Sequence, residues 1–162
     1  MLEKMRPIRM VAMDVDGVLT DARIVYDNRG GELKAFDAHD GFGISRAIRC
    51  GLILAIISRR KSAAVTRRAR ELGVREVYQG VQDKIVVYER LKLRHKLRDR
   101  EICYIGDDEP DVLLLRKAGL GVVPYDAMDE ARKCADVVTR CCGGRGAVRE
   151  VLDSILRAKK LL

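Results

Sequence analysis

The stretch MVAMDVDGVLTD at residues 10–21 begins with a short apolar run, Met10–Val15, that is typical of a buried strand and carries two aspartates one residue apart. Outwards along the chain, LILAII at residues 52–57 ends at Ser58, and ICYI at residues 102–105 runs into GDDEPD. Stretches with helical spacing or helix-ending glycines lie between such runs, at residues 62–72, 84–93, 110–118 and 147–159. Short buried strands that alternate with helices predict an α/β fold, a doubly wound, Rossmann-like parallel sheet covered on both faces.

Two local features interrupt this alternation. Ile24–Tyr26 and Leu33–Phe36 flank Asn28–Gly31, which predicts a β-hairpin over about residues 22–38. After the hairpin, Asp40 is the predicted N-cap of a helix that ends near Cys50. We therefore expect a small hairpin beside the main sheet.

Length and charge narrow the kinds of partner. With 162 residues the chain is close to the ~150 of one domain, so we expect a single domain over residues 1–162. Its 32 Lys and Arg against 24 Asp and Glu give a net charge of +8, which favours an anionic partner. The chain has no Trp and only seven other aromatics, which argues against a nucleic-acid platform. A small phosphorylated or carboxylated substrate fits the composition better.

The sequence also predicts a location. It contains no apolar run near the ~20 residues of a membrane span, and its N-terminus lacks the pattern of a signal peptide. The five cysteines are odd in number and show no C-x-x-C spacing, which fits reduced thiols better than disulfides or zinc. We expect a cytoplasmic protein with no membrane partner.

Polar groups follow four successive predicted strands, at the edge where ligands bind to such sheets. Asp14 and Asp16 lie two apart on an extended strand, so they share a face, and their repulsion calls for a compensating cation such as Mg²⁺. A simple turn at Asp16–Gly17 is the alternative explanation. Ser58 taken alone suits a helix cap, and Lys84 taken alone suits a solvated helix face.

The fourth strand is followed by the most acidic segment of the chain. Asp108 can cap the next helix, with Asp111 in its first turn, but this leaves Asp107 unexplained. Carboxylates, a hydroxyl and an ammonium in this order meet the needs of phosphoryl transfer, in which positioning and charge neutralisation dominate. The combination therefore predicts a phosphoryl-transfer site.

These residues carry a resemblance. DVDGVLTD, Ser58, Lys84 and GDDEPD are similar to the four motifs of haloacid dehalogenase superfamily phosphatases, and the match runs from about Met10 to Glu150. The chain further resembles one branch, the 3-deoxy-D-manno-octulosonate 8-phosphate phosphatases. The stretches that carry this closer resemblance are GVLTDARIVYDNRGGELKAFDAHDGFGI, ELGVREVYQGVQDK, YIGDDEPDV and GGRGAVREVLDSIL.

The resemblance implies roles for the catalytic residues. Asp14 is then the nucleophile that forms an aspartyl phosphate. Asp16 is the general acid for the leaving alcohol and afterwards the base for water. Ser58 and Lys84 bind the phosphoryl group, and Lys84 also orients Asp14.

The resemblance implies a magnesium site as well. Asp14, the backbone carbonyl of Asp16 and Asp107 are its expected ligands. Asp108 and Asp111 are expected to support the metal from one shell further out, partly through water.

Assembly is a further implication. The hairpin at residues 22–38 is too short to be a cap domain, so the resemblance implies a capless subunit that forms a homo-oligomer, a homotetramer, through its hairpins. The C-terminal tail, about residues 140–162, contains Gly144, Arg145 and Gly146, which are expected to bind substrate, in the family by reaching a neighbour's site. Taken alone, this glycine-rich segment is better explained as a flexible loop before the last helix, because runs of glycine commonly mark loops.

Substrate choice depends on fewer residues. Arg60 aligns with an arginine typical of the octulosonate branch, and a guanidinium suits a sugar-acid carboxylate. His39, Ser58 and Arg59 depart from the usual residues of that branch. Sialate 9-phosphate or another nonulosonate phosphate is thus an alternative substrate. A phosphoacceptor or an oligomerisation module without catalysis is the alternative from a different class.

Overall fold

A parallel sheet of six strands forms the centre of the molecule. The computed structural model describes residues 2–162. The strands are β1 (Met10–Met13), β4 (Ile53–Ser58), β5 (Glu76–Gln79), β6 (Ile102–Ile105), β7 (Leu120–Val123) and β8 (Val137–Val138). Their order across the sheet is β5-β4-β1-β6-β7-β8. Two further strands, β2 (Val25–Tyr26) and β3 (Glu32–Leu33), pair antiparallel in the separate hairpin.

Helices connect the strands and cover both faces of the sheet. They are α1 (Leu2–Met5), α2 (Ala38–Arg49), α3 (Ala63–Leu72), α4 (Lys84–Arg94), α5 (Val112–Lys117), α6 (Asp129–Arg132) and α7 (Ala147–Ala158), with 3₁₀ turns at Asp99–Glu101 and Glu109–Asp111. The prediction of a doubly wound α/β sheet is confirmed.

The register of the central strands places the site. β1 pairs in parallel with β4 on one side and with β6 on the other, so that Met13 lies beside both Ile56 and Ile105. Since parallel strands end at the same edge, the residues that follow β1, β4 and β6 lie together there. This edge, where the chain passes to opposite sides of β1, is where such sheets bind ligands.

Alternation along β1 divides the hydrophobic core into two layers. Val11 and Met13 pack into the layer that contains α2, α3 and α7, whereas Met10 and Ala12 pack into the layer under α4, α5 and α6. Burial on both faces explains why β1 is apolar throughout. β1 is therefore a fixed platform for the residues that follow it.

The start of α2 differs from the sequence prediction. Asp37, and not Asp40, is the N-cap, since its carboxylate accepts hydrogen bonds from the backbone N–H groups of His39 and Asp40. The buried Asp40 carboxylate instead accepts from the N–H groups of Gly146 and Arg149, at the start of α7. Asp40 thus accepts hydrogen bonds at the N-terminus of a helix, as its cap preference predicts, but this helix is α7, which is distant in sequence.

Within residues 2–162, no helix combines the length and the apolar character that crossing a membrane requires.

Candidate active site

Asp14 follows the last residue of β1 and is fixed from both sides. Its N–H donates to the carbonyl of Ile105 at 3.0 Å, which continues the ladder between β1 and β6. Its Oδ1 accepts from the N–H of Val15 at 2.6 Å, and its Oδ2 accepts from Nζ of Lys84 at 2.5 Å. The carboxylate is therefore held by rigid elements.

Lys84 begins α4, whose N-cap is Asp83, and its buried side chain points at two carboxylates. Besides Asp14, its Nζ donates to Oδ1 of Asp111 at 2.7 Å. Burial alone would lower the pKa of Lys84, but the charges of Asp14 and Asp111 outweigh it and raise this pKa. The ammonium is thus kept charged beside Asp14, and it is not the solvated helix-face lysine of the alternative explanation.

Asp111 is fully buried and holds the loop after β6 in place. It accepts a hydrogen bond from the Tyr104 hydroxyl at 2.5 Å, and its Oδ2 accepts from the N–H of Asp107 at 3.1 Å. Asp108 caps the following 3₁₀ turn, because its carboxylate accepts from the N–H of Glu109 at 2.7 Å. The helix-cap explanation therefore holds for Asp108, whereas Asp111 organises the site.

Three carboxylates converge at this edge. Oxygen atoms of Asp14, Asp107 and Asp111 all lie within 4.8 Å of one another. Burial and the charge of Asp111 outweigh Lys84 and raise the pKa of Asp14 to about 6. Burial, with the charges of Asp111 and Asp14, raises the pKa of Asp107 to about 8. The cluster is short of positive charge, and its oxygen donors are those that Mg²⁺ prefers.

The loop after β1 leaves room for Asp107 only because residue 17 is glycine. Gly17 has a φ of +79°, and a Cβ built there would lie 1.9 Å from Oδ2 of Asp107. The glycine of the D-x-D-G motif is thus required both for the turn and for the approach of the second strand end.

Asp16 lies apart from this carboxylate cluster and faces the hairpin. Its Oδ1 accepts a hydrogen bond from Nζ of Lys34, and its Oδ2 lies 3.7 Å from Nε of Arg60. Arg60 also donates to Glu32 of the hairpin. The two aspartates of the motif therefore have separate cationic partners, Lys84 for Asp14 and Lys34 for Asp16.

Most of the residues predicted from the strand ends line one cavity of about 380 Å³, but Lys84 and Asp111 are not among its lining residues. Ser58, buried at the end of β4, accepts a hydrogen bond through Oγ from the N–H of Arg60 at 3.3 Å. The residues that line the cavity are Asp14, Asp16, Ala22, Ser58, Arg59, Arg60, Asp107, Asp108 and Pro110.

The glycines of the tail pack against the loop after β1 of their own chain. The N–H of Gly144 donates to the carbonyl of Val18 at 2.9 Å, and a Cβ on Gly143 would lie 1.8 Å from the carbonyl oxygen of Gly17. Arg145 is exposed, with a guanidinium nitrogen 3.9 Å from Asp21. Within the described chain Gly144, Arg145 and Gly146 do not line the cavity, so their binding of substrate stays a prediction.

Sequence reasoning missed Tyr104, Lys34 and Glu32. Tyr104 carried a signal, because it is the polar-tipped residue in the otherwise apolar strand ICYI. Lys34 and Glu32 carried little, since charged residues on a short hairpin normally face water.

Comparisons with known proteins agree with this geometry. Residues 50–152 match the model of the haloacid dehalogenase-like hydrolase family. The 3-deoxy-D-manno-octulosonate 8-phosphate phosphatase KdsC of Escherichia coli K12 is 41% identical over 158 residues, covering 98% of this chain and 84% of that protein. The Yersinia pestis protein of the same name is 41% identical over 161 residues, covering 99% and 86%.

Solved structures give the same result. The 3-deoxy-D-manno-octulosonate 8-phosphate phosphatase of Moraxella catarrhalis, in complex with a magnesium ion, a phosphate ion and KDO, superimposes with a TM-score of 0.96 at 42% identity, covering 98% of this chain and 91% of that chain. The cobalt-bound phosphatase of Haemophilus influenzae superimposes with a TM-score of 0.93 at 33% identity, covering 97% and 92%. The chain belongs to the haloacid dehalogenase-like hydrolase family.

Proposed function

We propose that this protein is a magnesium-dependent phosphatase that hydrolyses 3-deoxy-D-manno-octulosonate 8-phosphate to the free sugar acid and phosphate. The main observation behind the proposal is the Asp14 carboxylate, which lines a cavity of about 380 Å³ and accepts a hydrogen bond from Lys84 at 2.5 Å. Identity of about 40% to phosphatases of that name over nearly the whole chain supports the substrate.

In the first step Asp14 acts as the nucleophile. One of its carboxylate oxygens forms a bond to phosphorus while the bond between phosphorus and the sugar oxygen breaks. Asp16 donates its proton to that departing oxygen, which leaves as the alcohol. Lys84, fixed between Asp14 and Asp111, keeps Asp14 oriented and adds positive charge next to the phosphoryl oxygens.

In the second step the aspartyl phosphate on Asp14 is hydrolysed. Water attacks phosphorus and gives a proton to the Asp16 carboxylate, while the bond between Asp14 and phosphorus breaks and phosphate leaves. The Ser58 hydroxyl, which lines the cavity, hydrogen-bonds a phosphoryl oxygen through both steps.

The carboxylate cluster fits a magnesium ion. Asp14 and Asp107, with the backbone carbonyl of Asp16, would hold the ion, and Asp111 and Asp108 would support them. When bound, Mg²⁺ neutralises charge on the phosphoryl oxygens and on the nucleophile. The raised pKa values of Asp14 and Asp107 support this assignment, since crowded buried carboxylates gain most from a cation.

Arg60 is the proposed binding group for the sugar-acid carboxylate. It lines the cavity, and its guanidinium already holds a carboxylate in this structure, that of Glu32. Gly144, Arg145 and Gly146 are proposed to contact substrate as well.

Assembly into a homotetramer completes the proposal. The hairpin takes the place of a cap, so residues 1–162 form one phosphatase domain whose lid comes from neighbouring subunits. Ile24, Val25, Tyr26 and Leu33 of the hairpin are all about half exposed or more, which supports a contact with other copies of the chain. The five free thiols support the cytoplasm as the location.

A phosphate-release assay tests the function. Purified protein is given 3-deoxy-D-manno-octulosonate 8-phosphate, sialate 9-phosphate or KDN 9-phosphate, with Mg²⁺ and with EDTA. We expect turnover of the octulosonate phosphate with Mg²⁺, with kcat/KM at least about tenfold above that for the other two, a difference of ~1.4 kcal/mol. Faster turnover of a nonulosonate phosphate would contradict the substrate, and no turnover of any would contradict the activity.

A further inference from the structure

Two charged side chains of the hairpin, those of Glu32 and Lys34, point inwards to the edge of the sheet where Asp16 lies. Glu32 and Lys34 are two residues apart on an extended segment, so they point to the same side, while Leu33 between them is 56% exposed. The Lys34 side chain is only 1% exposed. It belongs to the part of the chain assigned to assembly, yet its charged end lies inside.

The partners of Lys34 are both carboxylates. Its Nζ donates to Oδ1 of Asp16 and lies 3.2 Å from Oε1 of Glu32. Glu32 in turn accepts from Arg60, which lines the cavity. A buried ammonium costs free energy unless it is paired. The burial of Lys34 therefore depends on the carboxylates of Asp16 and Glu32.

We infer that Lys34 is a positioning residue, which fixes the Asp16 carboxyl so that it can exchange a proton with the leaving oxygen. This inference rests on the proposed function. Asp16 follows the end of β1 in a loop and is partly exposed, so the buried strand does not hold its side chain as it holds Asp14. Lys84 orients the carboxylate of Asp14, and Lys34 orients that of Asp16.

The rate of proton transfer from Asp16 depends on the position of its carboxyl group. A general acid must lie within about 2.6–3.2 Å of the atom that receives the proton, and it contributes roughly 10²–10⁴-fold. A misplacement of about 1 Å can cost ~10²-fold. A shift of the hairpin would therefore slow proton transfer from Asp16 and leave Asp14 in place.

Leaving groups of different quality separate this role from a structural one. An alkyl phosphate such as 3-deoxy-D-manno-octulosonate 8-phosphate needs a proton on its departing oxygen. p-Nitrophenyl phosphate releases a stable anion and needs none. kcat/KM reports events only up to the first irreversible step, so the later hydrolysis of the aspartyl phosphate does not enter the comparison.

The experiment measures kcat/KM on both substrates for the wild type, Lys34→Met and Lys34→Arg, with folding checked by circular dichroism. Lys92→Met is the matched control, because Lys92 also pairs with two carboxylates, those of Glu89 and Asp99. It lies on α4, eight residues after Lys84, and not on the hairpin. If Lys34→Met does not fold, Lys34→Gln replaces it in the same comparison.

For Lys34→Met we expect a loss of about 10–100-fold on the alkyl phosphate and less than about threefold on p-nitrophenyl phosphate. Lys34→Arg recovers most of the loss, and Lys92→Met changes neither value. Equal losses on both substrates, or no loss, would overturn the positioning role. A wild type that hydrolyses neither substrate would instead contradict the proposed function.

Discussion

The carboxylate cluster and the hairpin reverse the usual distribution of residues between interior and surface. At the ends of β1 and β6 charged groups are buried, and two of the three carboxylates are paired within the chain: Lys84 bridges Asp14 and Asp111, and Asp111 accepts from Tyr104. In the hairpin, by contrast, apolar side chains face outwards, with Val25 47% and Tyr26 66% exposed.

This difference separates what one subunit does from what an assembly does. Buried charges persist only when they are paired, and Lys84, Asp14 and Asp111 are paired with one another without a second subunit. Exposed apolar side chains on a two-stranded hairpin gain nothing from the subunit that carries them. In the proposed homotetramer, each chain supplies the chemistry, and contacts between chains supply the cover over it.

The strongest test of the cluster is removal of the nucleophile. Asp14→Asn keeps the size of the side chain and removes the attacking oxygen's charge, so we expect kcat to fall at least about 10⁴-fold. Phosphate release measures the loss, and circular dichroism checks the fold. Asp129→Asn, on the exposed start of α6, is the control. A variant with more than about 1% of wild-type activity would exclude Asp14 as the nucleophile.

A smaller loss is expected when the metal site is damaged and the nucleophile is kept. Asp107→Asn removes one of the three crowded carboxylates, and we expect kcat to fall about 100-fold, which corresponds to ~2.7 kcal/mol. In the wild type, Mg²⁺ at 100 times its dissociation constant should stabilise the fold by about 2.7 kcal/mol. Thermal melting with Mg²⁺ and with EDTA should show this shift in the wild type and a much smaller one in the variant. Equal shifts would place the ion elsewhere.

Tyr104→Phe tests whether the support under the cluster matters. The change removes the hydroxyl that donates to Asp111 at 2.5 Å, so that oxygen keeps only Lys84 as a partner. We expect a loss of ~1–3 kcal/mol in the free energy of unfolding and about tenfold in kcat. Chemical denaturation and steady-state kinetics measure the two effects. Tyr125→Phe, at an exposed tyrosine, should change neither. Unchanged stability in Tyr104→Phe would mean that Asp111 needs no hydroxyl partner.

Much of the catalytic edge followed from the sequence, because it lies at the ends of strands. Short apolar runs set the strands, parallel pairing brings their ends together, and the polar residues after each run then meet. This reasoning placed Asp14, Ser58, Lys84 and Asp107 at one edge, where the structure has them.

The parts that could not be predicted depend on contacts between distant segments. The cap preference of Asp40 indicated a local role, but tertiary packing brings it to the start of α7. No sequence pattern marked Lys34, because its burial results from the direction in which the hairpin folds back on Asp16. The periodicity of a sequence describes one helix or strand at a time and gives no information on contacts between segments that are distant in sequence.

The hairpin provides the mildest test, since its change should leave the chemistry intact. Val25→Asp places a charge on the outward face, where a neighbouring hairpin is expected to pack, and costs the subunit itself little because Val25 is half exposed. Sedimentation should show a homotetramer for the wild type and smaller species for the variant, with thermal unfolding of the subunit still cooperative. Leu93→Asp, at a more exposed apolar residue on α4, should leave the assembly unchanged. If Val25→Asp stays tetrameric, the apolar face of the hairpin is not the contact. If it dissociates and still hydrolyses p-nitrophenyl phosphate within a few-fold of the wild type, then the cluster is self-sufficient and the cover alone needs the assembly.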